Sequence, residues 1–205
     1  MSDNLQQLQA LTQTRSAVEW FKGLFSRVHV EVTDQKERFT VVHKGDRVEV
    51  EEGFQGTDPS FVIPLESQNI RNLVGFFDGD KLDDQEQYRI VKFMLKPCLK
   101  AALEMPVLQN SAFRMIVRVD THWQEALLDP QGREDEQLTV MCVNDQWLVV
   151  PGYHGKPQRR LVMKPEQVLD FQRRVFNAAE KNNLPTWLEV GRWYVGWRDQ
   201  VSVPV

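Results

Sequence analysis

The chain has 205 residues, 41% of them hydrophobic and 26% charged, with a net charge of −4 and a pI of about 5.6. That balance excludes a disordered chain and supplies no basic surplus for nucleic acid, and no run approaches the ~18 apolar residues of a membrane span. The length suits one large domain or two lobes of about a hundred residues.

Leu5, Leu8, Leu11, Val18, Phe21, Leu24 and Phe25 recur at three- and four-residue spacing and predict an amphipathic N-terminal helix, restarted by a capping box from Ser16 to Glu19. Val28, Val30 and Val32 alternate with His29 and Glu31 as a half-buried strand. Phe39, Val41 and His43 continue the alternation, Lys44-Gly45-Asp46 makes a hairpin turn, and Val48 and Val50 face inward opposite Glu49 and Glu51. Phe61, Ile63 and Leu65 give a further inward row. Helical spacing returns at Ile70, Leu73, Val74, Phe76 and Phe77, with Ser67 as N-cap and Asp78-Gly79-Asp80 as the stop. From Asp84 a second helix is apolar on most sides, which demands broad cover by core or by ligand, and Pro97 is expected to kink or divide it. Pro106 closes that helix, Phe113 to Val119 reads as a strand, and Thr121 with Gln124 caps a short helix through Leu128. Asp129 to Gln137 is then a loop. A helix from Pro165 to about Lys181 precedes a tail whose Trp187, Trp193 and Trp197 read as core or inter-lobe packing.

The stretch from Phe39 to Phe77 aligns without a gap on Leu138 to Phe176, at a constant offset of 99. Thr40/Thr139, Val41/Val140, Asp46/Asp145, Val50/Val149, Gly53/Gly152, Gly56/Gly155, Gln68/Gln167 and Phe77/Phe176 are identical; Val62/Leu161, Ile63/Val162 and Ile70/Leu169 keep their character. A period near half the chain suggests a duplicated strand-strand-strand-helix unit. The expected fold is α+β: mostly antiparallel sheets with helices on one face, in two related lobes, 1–106 and 107–205.

In the first half, VHVEVTD is followed by ERFTVVHKGDRVEVEEG, then DPSFVIPLESQNIRNLVGFFDGDKL, then a late helix containing PCLKAALEM. This order, over roughly Leu24 to Met105, resembles the sterol carrier protein type 2 domain, with Ile70, Leu73 and Gly79 in places comparable to that family's helix pattern. The second half has no such likeness except as a degenerate second copy. The resemblance implies a sheet roofed by helices around an apolar pocket, and a non-enzymatic role in binding or transferring a lipid-like or isoprenoid ligand. Phe25, Phe61, Ile63, Leu73, Phe76, Phe77, Phe93 and Met94 are its expected lining.

Other chemistry finds little footing. Gly53-Phe54-Gln55-Gly56 and Gly152-Tyr153-His154-Gly155 join strands, whereas a nucleic-acid clamp of that form joins helices. No phosphate loop or GxSxG elbow is present. His29, His43, His122 and His154 are scattered without metal-ligand spacing, and the acidic run from Asp78 to Glu86 lacks the register of a calcium loop. Neither catalytic residues nor metal or cofactor are expected. Cys98 and Cys142, in apolar contexts without CxxC spacing, read as buried free thiols. The N-terminal residues lack the regions of a signal peptide, so a cytoplasmic protein is expected. Net charge is uneven: residues 1–105 hold 13 Lys/Arg against 17 Asp/Glu, and the remainder 12 against 12. Lys156, Arg159, Arg160, Arg173 and Arg174 thus form solvated faces, or a docking surface for an acidic partner or for transient contact with lipid headgroups. The rival to ligand binding is a protein-interaction module whose cores are fully packed.

Overall fold

The computed structural model describes residues 2–55, 59–77 and 81–205; Gly56 and the predicted stop Asp78-Gly79-Asp80 lie outside them. Its strands form two sheets. The first contains β1 (Arg27–Val32), β2 (Glu37–Lys44), β3 (Arg47–Glu52) and β4 (Val62–Leu65), in the order β3-β2-β1-β4. The second contains β5 (His122–Leu128), β6 (Glu134–Val143), β7 (Gln146–Pro151), β8 (Arg159–Met163) and β9 (Ser202–Val203), in the order β7-β6-β5-β8-β9. The fold is α+β, and the sheets are mixed: β4 runs parallel to β1 and β8 parallel to β5, while the other pairings are antiparallel. Period-two alternation builds the first sheet, since Val28, Val30 and Val32 are buried while Glu31 on the opposite face pairs with Arg38 at 3.1 Å.

Two sheet-and-helix lobes with one strand order fit a duplicated unit, and a shared hydrogen-bond lock strengthens the fit. Thr40 Oγ1 donates to the Gly53 carbonyl at 2.8 Å and accepts from Gln55 N at 2.9 Å. Thr139 Oγ1 likewise donates to Gly152 O at 2.7 Å and accepts from His154 N at 2.9 Å. Both glycines sit at positive φ, 80° and 78°, where a side chain is strained. The gapless alignment slips by one residue after this lock. His29 pairs with Val62 in the first sheet, and its counterpart Gln124 pairs with Arg160 in the second, so the offset in this strand is 98. Sliding a strand by one residue exchanges its faces. Buried Ile63 and Leu65 therefore correspond to buried Leu161 and Met163, not to Val162 and Lys164.

The helices are α1 (Asp3–Leu11), α2 (Arg15–Phe21), α3 (Ser67–Phe76), α4 (Asp84–Glu104), α5 (Pro106–Gln109), α6 (Ser111–Ile116), α7 (Pro165–Lys181) and α8 (Leu184–Val201). The N-terminal helix divides at Thr12–Thr14, and Thr14, not Ser16, caps its second part; the Ser16 hydroxyl lies 3.4 Å from the Phe77 carbonyl oxygen. Glu66 rather than Ser67 caps α3, with Asn69 Oδ1 accepting from Glu66 N at 2.7 Å. Pro106 opens the short α5 instead of merely ending α4. Two expectations invert. Phe113 to Val119 holds helix α6 instead of a strand, capped by Asn110, and the supposed helix from Thr121 is strand β5.

Helix α4 runs unbroken through Pro97, which supplies no N–H to the carbonyl four residues back. It is packed on two sides. Ile90, Cys98, Ala101 and Ala102 join the core of the first lobe, and Tyr88, Val91, Leu95 and Leu103 join that of the second. Its N-terminus is fixed by a capping box between Asp83 and Glu86. Helix α7 reciprocates, sending Val175 and Phe176 into the first core, where the Phe176 ring meets Phe61 edge-on at 5.1 Å. The lobes thus share a common interior with α4 at its centre.

Candidate functional site

The predicted pocket residues do not form one lining. Phe25, Ile63, Leu73 and Met94 border an apolar cavity of about 70 Å³ inside the first lobe. Phe61 instead faces a larger one. Phe77 is fully buried 5.7 Å from the Phe21 ring, and half-buried Phe76 packs edge-on against Phe93 at 5.6 Å.

The larger cavity, about 110 Å³, lies between the second sheet and α4, α7 and α8. The sheet contributes Trp123, Glu125, Leu161 and Met163; Cys98 and Ala102 come from α4. Helix α7 adds Phe171 and Gln172, and α8 adds Trp187, Tyr194 and Trp197. Cys98, Gln172 and Phe176 border both apolar cavities and so form the partition between them. Gly191 lets α8 close one wall, because a Cβ there would stand 2.2 Å from Val117 Cγ1. Beside the chamber a polar cleft of about 90 Å³, with Arg27, His29 and Asn182, shares Phe61 and Phe176 with it.

The one acidic group of this wall, among the described residues, is Glu125 on β5. Strand β5 is buried on both faces: Trp123 and Glu125 point to the chamber, while Gln124 reaches the carbonyls of His154 and Gly155 at 3.3 and 3.4 Å. Glu125 is 4% exposed. Its Oε2 accepts from the Trp123 indole N–H at 3.2 Å, and Oε1 has no partner among the described residues. Burial pushes its carboxyl up to about 7, against a smaller opposing pull from the indole. Burial also raises the Cys98 thiol to about 12 and holds Tyr194 well above the usual phenol range, so both stay neutral near pH ~7. The Trp197 indole N–H is likewise without a partner among the described residues.

Sequence reasoning missed Glu125 because it placed that segment in a helix. The duplication held the missing signal: the first copy has a strand before its hairpin, so the second needs one too.

Elsewhere among the described residues, His29 Nε2, His43 Nε2 and the Trp147 indole N–H are buried without a partner, while the other two histidines are engaged. His122 Nε2 lies 3.1 Å from His154 O, and His154 Nε2 lies 2.7 Å from Pro151 O. Among the described residues no three His, Cys, Asp or Glu side chains gather as a metal site, and no helix is long and apolar enough to cross a membrane. Cys98 and Cys142 are both free thiols, the first buried and the second half-buried. Comparison with protein-family models, with characterised proteins and with solved structures returned no match for this chain.

Proposed function

We propose that this chain is a non-enzymatic binding protein for a compact lipid-like or isoprenoid ligand, held in the chamber between the second sheet and α4, α7 and α8. The observation that carries the reading is the chamber itself. Left open, a void of about 110 Å³ costs roughly 2–3 kcal/mol at ~24 cal/mol per Å³ of cavity. A guest of about five carbons recovers that and more, at ~0.8 kcal/mol per buried methylene. The chamber is somewhat smaller than a ~150 Å³ cavity that admits benzene, which suits one ring or one branched isoprenoid unit. A longer chain has to displace the Cys98–Gln172–Phe176 partition and enter the smaller cavity.

The resemblance of Leu24 to Met105 to sterol carrier domains supports the same class of ligand, although it points to the first lobe. A sheet roofed by helices is the arrangement that resemblance implies. Organic extraction of natively purified protein, followed by mass spectrometry, tests the reading, together with saturable benzene uptake by the wild type. Uptake abolished by Ala102→Leu, which fills the chamber, is the expected result. No copurifying lipid and no uptake would remove the proposal.

A second reading, a docking module, rests on α6, where Met115 and Ile116 are 78% and 67% exposed. Replacing both by serine leaves benzene uptake unchanged if the chamber is the working site.

A further inference from the structure

The chamber's polar chemistry narrows its guest, on the reading that it is a ligand site at all. The repeated unit does not require a carboxyl at the place of Glu125. Its counterpart in the first sheet is Val30: Val30 stands opposite Phe39 in the β1–β2 register, and Glu125 stands opposite Leu138 in the β5–β6 register. One copy of the unit thus places a valine beside its smaller cavity, while the other puts a carboxyl beside the larger one. A buried carboxyl with a free oxygen is costly, and the usual remedy is a cation or a further hydrogen-bond donor. Among the described residues no Lys, Arg or His lines the chamber. The titratable groups that share its wall are Cys98 on α4 and Tyr194 on α8, both kept neutral by burial. The charges that reach Tyr194 from outside, Arg159, Arg198 and Asp120, are engaged with one another: Asp120 lies 2.8 Å from Arg159 Nε and 3.6 Å from an Arg198 nitrogen. The complement to Glu125 has to arrive with the guest.

We propose that the guest is a small apolar amine, bound as its ammonium ion, whose N–H groups are accepted by Glu125 Oε1 while Trp123, Tyr194 and Trp197 enclose it. Two properties of the wall favour a cation over a neutral donor. Aromatic faces attract a cation within about 6 Å of the ring centre, most strongly when it is desolvated. A carboxylate that gains a charged partner in a low-dielectric site forms the stronger, charge-assisted kind of hydrogen bond. An anionic guest meets the opposite situation, since its charge and that of Glu125 repel.

Three probes with one carbon skeleton separate the possibilities: isoamylamine, isoamyl alcohol and isovalerate. Their binding to the full chain is measured by calorimetry at about pH 8, where Glu125 is ionised and the amine protonated. The expected order is amine over alcohol by tenfold or more, with isovalerate weakest. In Glu125→Gln the amine loses that advantage while the alcohol still binds, which also shows the variant folded. Glu125→Val, carrying the residue of the first lobe, serves if the glutamine variant does not fold, and the amine advantage is lost there too. At about pH 5 the advantage shrinks in the wild type as Glu125 takes up a proton. Alcohol binding as tight as amine binding, or an amine preference that survives loss of the carboxyl, overturns the amine assignment and leaves the apolar chamber standing. Binding of none of the three overturns both.

Discussion

At one place in the sheet the two lobes make opposite choices. In the first, Val30 lies opposite Phe39 and borders the smaller apolar cavity; in the second, Glu125 lies opposite Leu138 and borders the larger one, with one oxygen unpartnered among the described residues. Around that place the lobes keep the same strand order and the same threonine–glycine lock. The first copy does without a carboxyl there, and in the second its one hydrogen bond is to the Trp123 indole N–H. Local rules are broken where something else is gained, and the open chamber beside Glu125 is where that gain is to be sought.

The largest expected effect comes from making the lobes alike. Burial pushes the Glu125 carboxyl up to about 7 from the ordinary carboxylate value of 4.5. A group so raised contributes stability in full below its unfolded pKa and loses it as pH rises through the folded one. At about pH 8 that loss amounts to roughly 3 kcal/mol, on the order of 1.4 kcal/mol per pK unit. Relative to its effect at about pH 4, Glu125→Val is therefore expected to raise unfolding free energy by about that much at alkaline pH, against a pH-independent loss as the Trp123 indole N–H is left without its acceptor. The gain should fade toward about pH 4, as urea denaturation at the two pH values will show. A pH-independent effect would mean that Glu125 does not titrate in the folded protein.

The locks provide the next comparison. Thr40→Val and Thr139→Val each remove the partner of a half-buried glycine carbonyl and of a backbone N–H, so each is expected to cost about 1–2 kcal/mol, and similar amounts in the two lobes. A large inequality in chemical denaturation would show that the lock matters to one copy alone. Gly191→Ala forces a Cβ against Val117 where α8 meets the end of α6, and a loss of about 1–3 kcal/mol is expected. The smallest effect belongs to the hairpin turns. Gly45 alone takes positive φ in the β2–β3 turn, whereas Asn144 and Asp145 both do so in the β6–β7 turn. Asn144→Gly is expected to stabilise by less than about 1 kcal/mol, measured as a small rise in melting temperature.

What the sequence disclosed follows from which residues alternate cleanly. β1 to β4 and α7 were legible because each has one wet and one dry face, as Val28, Val30 and Val32 against Glu31 show. β5 was not. Trp123, Gln124, Glu125, Ala126 and Leu127 are all buried, so the strand carries no period of two, while Trp123, Ala126 and Leu127 imitate helical spacing. α6 misled in the other direction, since Phe113, Met115, Val117 and Val119 alternate like a strand yet Met115 points to solvent. The candidate site was half legible. An excess of aromatic and aliphatic side chains signalled cavities, but their division depends on α4 and α7 reaching across the lobes, contacts between residues distant in sequence. The one-residue slip after Gly53 and Gly152 was equally hidden, because it shows only in strand register.

Diffraction from a crystal pressurised with xenon tests the chamber most directly, since a dry apolar cavity takes up the gas and a packed or wet one does not. A xenon atom is expected between Ala102, Leu161 and Trp197, beside the Glu125 carboxyl. Side chains or a chain of ordered waters filling that space, with no xenon bound, would contradict it.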